Sequence, residues 1–209
     1  LEIKINMKKE LCIIIGSGGL AKEVYGLISN IKRYKVLGFI SKEKKNKIII
    51  NNIRVLGDEK FLIKNFKNLN LIIAIGDKKK RKQIVKKLSN KKFKWPNIII
   101  NLNKIKFIKR IGKGNLIFNS TVLNPEVEIG DFNLFHENVF IAHDVKIKNF
   151  CNFNPLSNIS GEVEIESNCE FGSSSVVLPR VKVKSNSIVG IGSVLMNNTI
   201  SSGTYLGVP

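Results

Sequence analysis

The chain is expected to fold as an α/β Rossmann-like N-terminal domain followed by an all-β left-handed parallel β-helix. Three observations carry that expectation. A glycine-rich turn joins an apolar strand to a helical stretch near residue 16, a six-residue period runs unbroken from Ile111 to Ile200, and the net charge is confined to one half of the chain. With 209 residues, of which 43% are hydrophobic, the chain has room for two small cored domains. The spans read from the sequence are 8–104 for the first and 105–209 for the second. The first Met is Met7.

In the first domain Leu11 to Ile15 reads as a buried strand. It runs into Gly16-Ser17-Gly18-Gly19-Leu20-Ala21 and then a helical stretch from Lys22 to Ile31. This is the strand–turn–helix setting in which a bare backbone approaches phosphate at a helix N-terminus. Val36 to Ile40 makes a second strand, Glu59 to Phe66 a helix and Leu71 to Ile75 a third strand. Gly76-Asp77 then opens a basic helix from Lys78 to Leu88. The turn admits three readings: a nucleotide or nucleotide-sugar site, a purely structural turn, or an NAD(P) site. The last is disfavoured, because Ser41-Lys42 stand where an acid would hold a ribose.

Residues 1–104 carry 26 Lys/Arg against 7 Asp/Glu, whereas residues 105–209 carry 9 of each sign. Such an excess raises nucleic acid or an anionic membrane as a partner. No aromatic-rich stacking surface or nucleic-acid motif accompanies the lysines, so solvated surface or attraction of a small polyanion is preferred. No apolar run approaches the roughly 18 residues of a membrane span. The apolar stretch after Lys8-Lys9 is too short for a secretory signal. Three cysteines cannot build a disulfide framework, which fits a cytoplasmic protein. Neither nucleic acid nor a membrane is expected as a partner.

The second half divides into fifteen hexads from IGKGNL at Ile111 to LMNNTI at Leu195. Every first position is Ile, Leu, Val or Phe. Every fifth position is Val, Ser, Thr or Cys except Asn115 and Asn133. A period of 6 excludes helix and indicates a solenoid, with three hexads closing one triangular coil. First positions fill the prism, small fifth positions let the chain turn, and residues three hexads apart stack. Cys151 and Cys169 should therefore stack inside it, as packing rather than as a disulfide. Known solenoids of this kind wind left-handed, against the usual crossover rule.

Both histidines lie in the solenoid at outward positions: His136 second in its hexad, His143 third and followed by Asp144. A carboxylate beside an outward imidazole can orient the ring and stabilise its protonated form, which suits a general base. One coil on from His143 stands Gly161, whose backbone N–H could serve an oxyanion. Asn152, Asn154 and Ser157 are secondary polar candidates on adjoining turns.

The glycine-rich first half, Ala142-His143-Asp144-Val145, Ile159-Ser160-Gly161-Glu162-Val163 and Tyr205-Leu206-Gly207-Val208-Pro209 together resemble the NeuD/PglD-type sugar acyltransferases. These are bacterial left-handed β-helix enzymes that acetylate sialic acids or nucleotide-linked amino sugars from acetyl-CoA. The resemblance covers nearly the whole chain after Lys8. It implies a homotrimer with active sites at subunit interfaces, His143 as base, Asp144 as its acidic partner and Gly161 as donor to the acetyl carbonyl. It assigns Gly16, Ser17 and Gly18 to the nucleotide-holding loop, with Gly19, Ser41, Lys42, Gly76 and Asp77 beside it. It also implies acetyl-CoA contacts at Asn152, Gly161, Gly190, Gly192, Gly207 and Pro209, with no metal. The chain departs from the family pattern at Leu20 and Asn152, where a His is common, and at Ser41-Lys42, where acids are common.

The expected activity is therefore direct N-acetylation of the amine of a nucleotide-linked amino-deoxysugar. The nearest alternative is O-acetylation of sialic acid or a related sugar on the same base. A non-catalytic sugar-nucleotide-binding protein is a further alternative. A zinc hydratase would need three His ligands where the chain has two histidines in all.

Overall fold

The computed structural model describes residues 9–100 and 105–207, which divide into two compact units. The first comprises the described residues up to Ile75 together with Gln83–Pro96. The second comprises Gly76–Lys82 and the described residues from Asn97 onward. Lys104 lies outside the described residues.

The first unit is a five-stranded sheet. Its elements are β1 (Glu10–Ile15), α1 (Gly19–Ser29), β2 (Tyr34–Ile40), β3 (Ile48–Ile50), β4 (Ile53–Gly57), α2 (Glu59–Asn65) and β5 (Asn70–Ile73), in the sheet order β3-β4-β2-β1-β5. The pairs β4–β2, β2–β1 and β1–β5 are parallel. β1 is an interior strand between β2 and β5, and Cys12 to Ile15 are all buried, which is why they read as an unbroken apolar run. Burial pushes the Cys12 thiol up to about 12. α2 begins where the Asp58 carboxylate accepts from the Phe61 N–H at 2.9 Å, an N-cap at the first turn.

The β3–β4 hairpin is absent from the sequence-based expectation. Its turn residues Asn51 and Asn52 have φ of 46° and 62° and so adopt the left-handed turn that matches strand twist. The flanking isoleucines make Asn51-Asn52 a readable hairpin signal, masked by the lysine run before it.

The second unit is a left-handed parallel β-helix, as the six-residue period predicts. Its short strands form three stacked parallel sheets, and each strand pairs with the one three hexads on, as in Phe140–Ile141 with Asn158–Ile159. The first-position residues fill the interior. Phe135, Phe153 and Phe171 are fully buried and stack face over face at 4.7 and 4.8 Å between ring centroids, the spacing of the parallel rungs. The turn of each rung places its fourth residue in the left-handed region. From Glu126 to Asn186 every sixth residue has φ between 56° and 65°, Asp144 included at 60°.

The third residue of each rung uses its backbone differently. Its C=O accepts from the fourth residue of the next coil, as His143 O does from Glu162 N at 3.1 Å and Gly161 O from Arg180 N at 3.0 Å. Its N–H is left to face outward. Pro125, Pro155 and Pro179 all occupy this third position, where a missing N–H removes no ladder bond. Side chains meet it elsewhere, as Asp131 Oδ1 meets Lys113 N.

Asn115 and Asn133, the two exceptions to the small-residue rule, are buried at 0% and 1% exposure. They form a ladder with Asn97 in one interior column. Asn97 Oδ1 accepts from Asn115 N, Asn115 Oδ1 from Asn133 N, and Asn133 Oδ1 from Cys151 N, each at 2.8 Å. Their amide nitrogens donate to Gly112 O, Gly130 O and Lys148 O. Cys151 and Cys169 continue the column as buried free thiols, donating to Glu166 O and Lys184 O. The prism also begins earlier than the hexads indicate, since Ile98–Ile99 pairs with Leu116–Ile117 as a further rung.

Asn133→Ala should strip an acceptor from Cys151 N–H and a donor from Lys148 O while leaving a void. The expected loss is about 2–4 kcal/mol, read from urea unfolding of the β-helix. The exposed control Lys182→Ala should change it by less than about 0.5 kcal/mol. Equal, small effects of both substitutions would remove the ladder from the list of what holds this prism together.

Candidate active site

The sixth residue of each rung points outward, and the three faces differ sharply there. One face carries Arg110, Glu128, Lys146, Glu164 and Lys182, an alternating-charge column with ion pairs at 3.5 to 3.8 Å. A second carries Val122, Phe140, Asn158, Val176 and Val194 and bears no charge in that column. The third carries Leu116, Leu134, Asn152, Glu170 and Ile188.

His143 and Asp144 stand at the corner between the second face and the first, just after the strand Phe140–Ile141. His143 Nδ1–H donates to Asp144 Oδ2 at 2.8 Å. This holds the tautomer whose Nε2 lone pair is available as a base. The left-handed φ of Asp144 turns its carboxylate back toward the preceding ring. Gly161 is the third residue of the next coil at the same corner, directly against the imidazole. A Cβ placed on Gly161 would lie 2.8 Å from both Cε1 and Nε2 of His143, so the glycine is what lets the ring lie there. Being a third-position residue, Gly161 has its N–H outside the rung ladder. The three residues expected to act together are therefore together, with the His143 and Asp144 side chains 62% and 54% exposed.

Asn152 is placed differently. It is 6% exposed, donates to Gly76 O at 2.8 Å and accepts from Arg81 Nη2 at 2.6 Å. Both ends of its amide are engaged within the second unit, on a different face from His143. Arg81 is 3% exposed, also donates to Gly76 O, and is pushed down by burial to about 10. Lys78 beside it pairs with Glu170 at 2.7 Å. A run of lysines surrounds Arg81 and hides it from a sequence reading. Its spacing from Ile84 and Leu88, both buried, is the signal that places it on the inner side of α3 (Lys78–Leu88). Asp77 Oδ1 accepts from Lys80 N, a bond that caps α3 and holds the Asp77 carboxyl below its usual range.

In the first unit, the glycine turn has the geometry expected of it. Gly16 has φ 118°, and a Cβ there would meet Ala74 O at 2.5 Å, so only glycine fits. A Cβ on Gly18 or Gly19 would meet nothing within 4 Å, and Gly18 caps α1 without a side-chain hydrogen bond. The first-turn N–H groups of α1 thus open onto free space, the arrangement that receives an anion. Ser17 Oγ and Ser41 Oγ are 2.7 Å apart, and Ser41 Oγ also accepts from Glu43 N. The turn and the end of β2 are joined by these hydroxyls, and Lys42 is exposed beside them.

Gly190, Gly192 and Gly207 gather near the C-terminal end of the prism. Gly190 packs under Leu206, Gly192 takes a left-handed turn at φ 65°, and Gly207 donates to Ser193 Oγ at 3.2 Å. An open recess of about 510 Å³ lies there, lined by Leu195, Met196, Tyr205, Leu206 and Gly207 among others. Pro209 lies outside the described residues. His136 is half-buried and stacks on Phe118 at 5.3 Å.

Residues 12–88 match the family model of the PglD N-terminal domain. No curated protein matches the chain by sequence. Among solved structures, the chain resembles a perosamine N-acetyltransferase variant from Caulobacter crescentus in complex with CoA and GDP-perosamine. Identity is 24%, with 95% of this chain and 94% of that one covered and a TM-score of 0.86. It also resembles the acetyltransferase domain of PglB from Neisseria gonorrhoeae, at 20% identity, 91% and 93% coverage and a TM-score of 0.81. WeeI from Acinetobacter baumannii matches at 22% identity, 95% and 97% coverage and a TM-score of 0.77. These likenesses establish the two-part fold over nearly the full chain, and the resemblance to NeuD/PglD-type proteins is borne out at that level.

Gly161→Ala should leave the fold intact, because the His143 ring is exposed and can swing away. The imidazole NMR resonances of His143 should nevertheless shift. Unchanged resonances would mean that the ring does not rest on Gly161.

Proposed function

We propose that this chain, whose first unit is a PglD-type N-terminal domain, is an acetyl-CoA-dependent N-acetyltransferase acting on the amine of a nucleotide-linked amino sugar. The observation that carries the reading is the His143–Asp144 pair resting on the bare backbone of Gly161. The amine nitrogen attacks the thioester carbonyl while His143 Nε2 takes its proton, and Asp144 stabilises the imidazolium that forms. The Gly161 N–H donates to the tetrahedral oxyanion. Collapse breaks the C–S bond, CoA leaves as thiolate, and the imidazolium returns the proton to it. Transfer is direct. Cys151 and Cys169 are buried inside the prism, away from the outward imidazole, and no acyl-cysteine step is needed.

The amine acceptor is supported by the perosamine N-acetyltransferase likeness, whose complex holds CoA and GDP-perosamine. A second likeness is to a PglB acetyltransferase domain in complex with acetyl coenzyme A. The nucleotide's phosphates suit the α1 N-terminus, where Gly16, Ser17, Gly18 and Gly19 leave the backbone open, with Ser41 and Lys42 beside it. Coenzyme contacts are assigned to Gly161 and to the C-terminal end at Gly190, Gly192, Gly207 and Pro209. Asp77 and Asn152 hold local structure as well, Asp77 as a helix cap and Asn152 through Arg81 and Gly76.

The active form is a homotrimer. His143 and Asp144 are more than half exposed on the single chain, so a neighbouring subunit must supply the other wall of a water-poor site. The uncharged column of Val122, Phe140, Val176 and Val194 passes beside His143, and it is the face suited to that contact.

His143→Ala should lower the rate of acetyl transfer by about 100-fold or more, measured by thiol release from acetyl-CoA with GDP-, UDP-, dTDP- and CMP-linked amino sugars. Activity retained within tenfold would rule out a general base at this position. Phe140→Glu should convert the trimer to monomer in light scattering and abolish activity with it. A trimer that survives this change assembles through another face.

A further inference from the structure

The parallel sheet of the first unit has two ends; cations stand at both, as Lys42, Lys44 and Lys45 do after β2, but the carboxylates are unevenly divided between them. The glycine turn, Ser41 and Lys42 lie at the C-terminal ends of the strands, as the bonds Gly16 N to Ile40 O and Ala74 N to Ile15 O show. At the other end, strand register brings four segments to one level. Glu10 pairs with Tyr34, Leu11 with Lys35, Cys12 with Asn70, and Asn70 in turn with Lys94. Glu10 N bonds Arg33 O, and Asn68 N bonds Lys92 O. The cations on these segments are Lys9, Lys32, Arg33, Lys35, Lys67, Lys91, Lys92 and Lys94, and every one is exposed. Lys64 and Lys86 add to them from the last turns of α2 and α3, whereas Lys87 is paired with Glu59 at the start of α2.

Among the described residues the only acid at this end is Glu10, which is already paired with Arg33 at 2.7 Å and bonded to Asn70. The remaining acids of the unit fall elsewhere. Asp58 and Glu59 open α2, Glu23 lies in α1, and Glu43 follows β2. A genome-wide excess of lysine codons would scatter lysine over the unit without emptying one end of carboxylates. Helix dipoles account for Lys64 and Lys86, but not for the eight cations in loops and strand starts.

We propose that this strand-N-terminal end is a docking surface for an anionic lipid bilayer. Clusters of this size attract acidic headgroups through simple proximity of charge. Seven of the eight loop and strand-start cations are Lys, a flexible point charge rather than the planar fork that reads bases. The surface is a set of loop tips and strand starts at the end of a sheet, which suits a plane better than a groove-tracking strand. Leu11, 45% exposed at the same level, is one of two large apolar side chains the unit leaves exposed among the described residues, and can settle among the headgroups. Docking through this end leaves the glycine turn open, since the two lie at opposite ends of β1, roughly 20 Å apart at strand rise. The net charge of +19 raises an anionic membrane only in general terms; the placement of the charges says which end would meet it.

The test is co-sedimentation of the full chain with vesicles of two parts phosphatidylcholine to one part phosphatidylglycerol, against pure phosphatidylcholine. Binding should appear only with the anionic vesicles and should disappear at high salt. The triple variant Lys67→Glu, Lys91→Glu, Lys92→Glu should bind at least tenfold more weakly, with an unchanged melting temperature and unchanged acetyl transfer. A control with equal charge change, Lys44→Glu, Lys45→Glu, Lys60→Glu, should bind nearly as the parent does. Absence of binding to anionic vesicles overturns the proposal, as does equal loss in both variants, which would reveal mere net charge. Tighter binding to a single-stranded oligoribonucleotide, lost in the same triple variant, overturns it in favour of a nucleic-acid partner.

Discussion

Everything in the second unit depends on parallel strand pairing at an offset of three hexads. Each rung is only two strand residues long, far too little to stand alone. Stacking makes every rung the template for the next and turns a linear spacing into a spatial column. The Phe135–Phe153–Phe171 stack and the Asn97–Asn115–Asn133 ladder are the apolar and polar versions of the same device. In both, one side chain satisfies its neighbour because the repeat puts an identical group one rung away. The geometry of the proposed active site is a product of that register, since His143 meets Gly161 only because they share a rung position.

The same register divides labour between inward and outward atoms. The carbonyl of each third residue belongs to the ladder, and its N–H does not. Proline can therefore occupy three such positions without cost, and Gly161, the proposed oxyanion donor, occupies a fourth. A scaffold whose ladder does not use the third-position donor need not break a ladder hydrogen bond to build an oxyanion site. It only needs to clear the space, and the missing side chain of Gly161 does that.

The repeat, the interior columns and the His143–Asp144–Gly161 corner are legible in the sequence because a fixed period converts directly into neighbours. What is not legible concerns groups whose partners are set by tertiary packing. Asn115 and Asn133 break the small-residue rule, and only the stacked column shows that they satisfy one another. Arg81 is hidden in a run of lysines that looks uniformly solvated, although its spacing to Ile84 and Leu88 marks it as inward. Asn152 is a coenzyme contact by the family resemblance, and nothing in the sequence shows that its amide also holds Arg81 and Gly76. Ile98–Ile99 lies before the first recognisable hexad and joins the prism through pairing alone. The Asn51-Asn52 hairpin is written in the sequence but overshadowed by its charged surroundings.

The left-handed turn residue recurring every six positions has a consequence for how such a chain can change length. Deleting one residue inside a rung would exchange interior and surface positions along the whole remainder, placing phenylalanine in solvent and lysine in the core. Only whole hexads can be gained or lost in the middle without that inversion, and only whole coils without also moving every later rung to another face. Near the end the rule relaxes, because Thr204–Tyr205 pairs with Ile188–Val189 at an offset of 16 and no further rung among the described residues must inherit its phase. Natural relatives of this protein should accordingly differ by whole coils within the prism, and by arbitrary lengths only beyond its final turn.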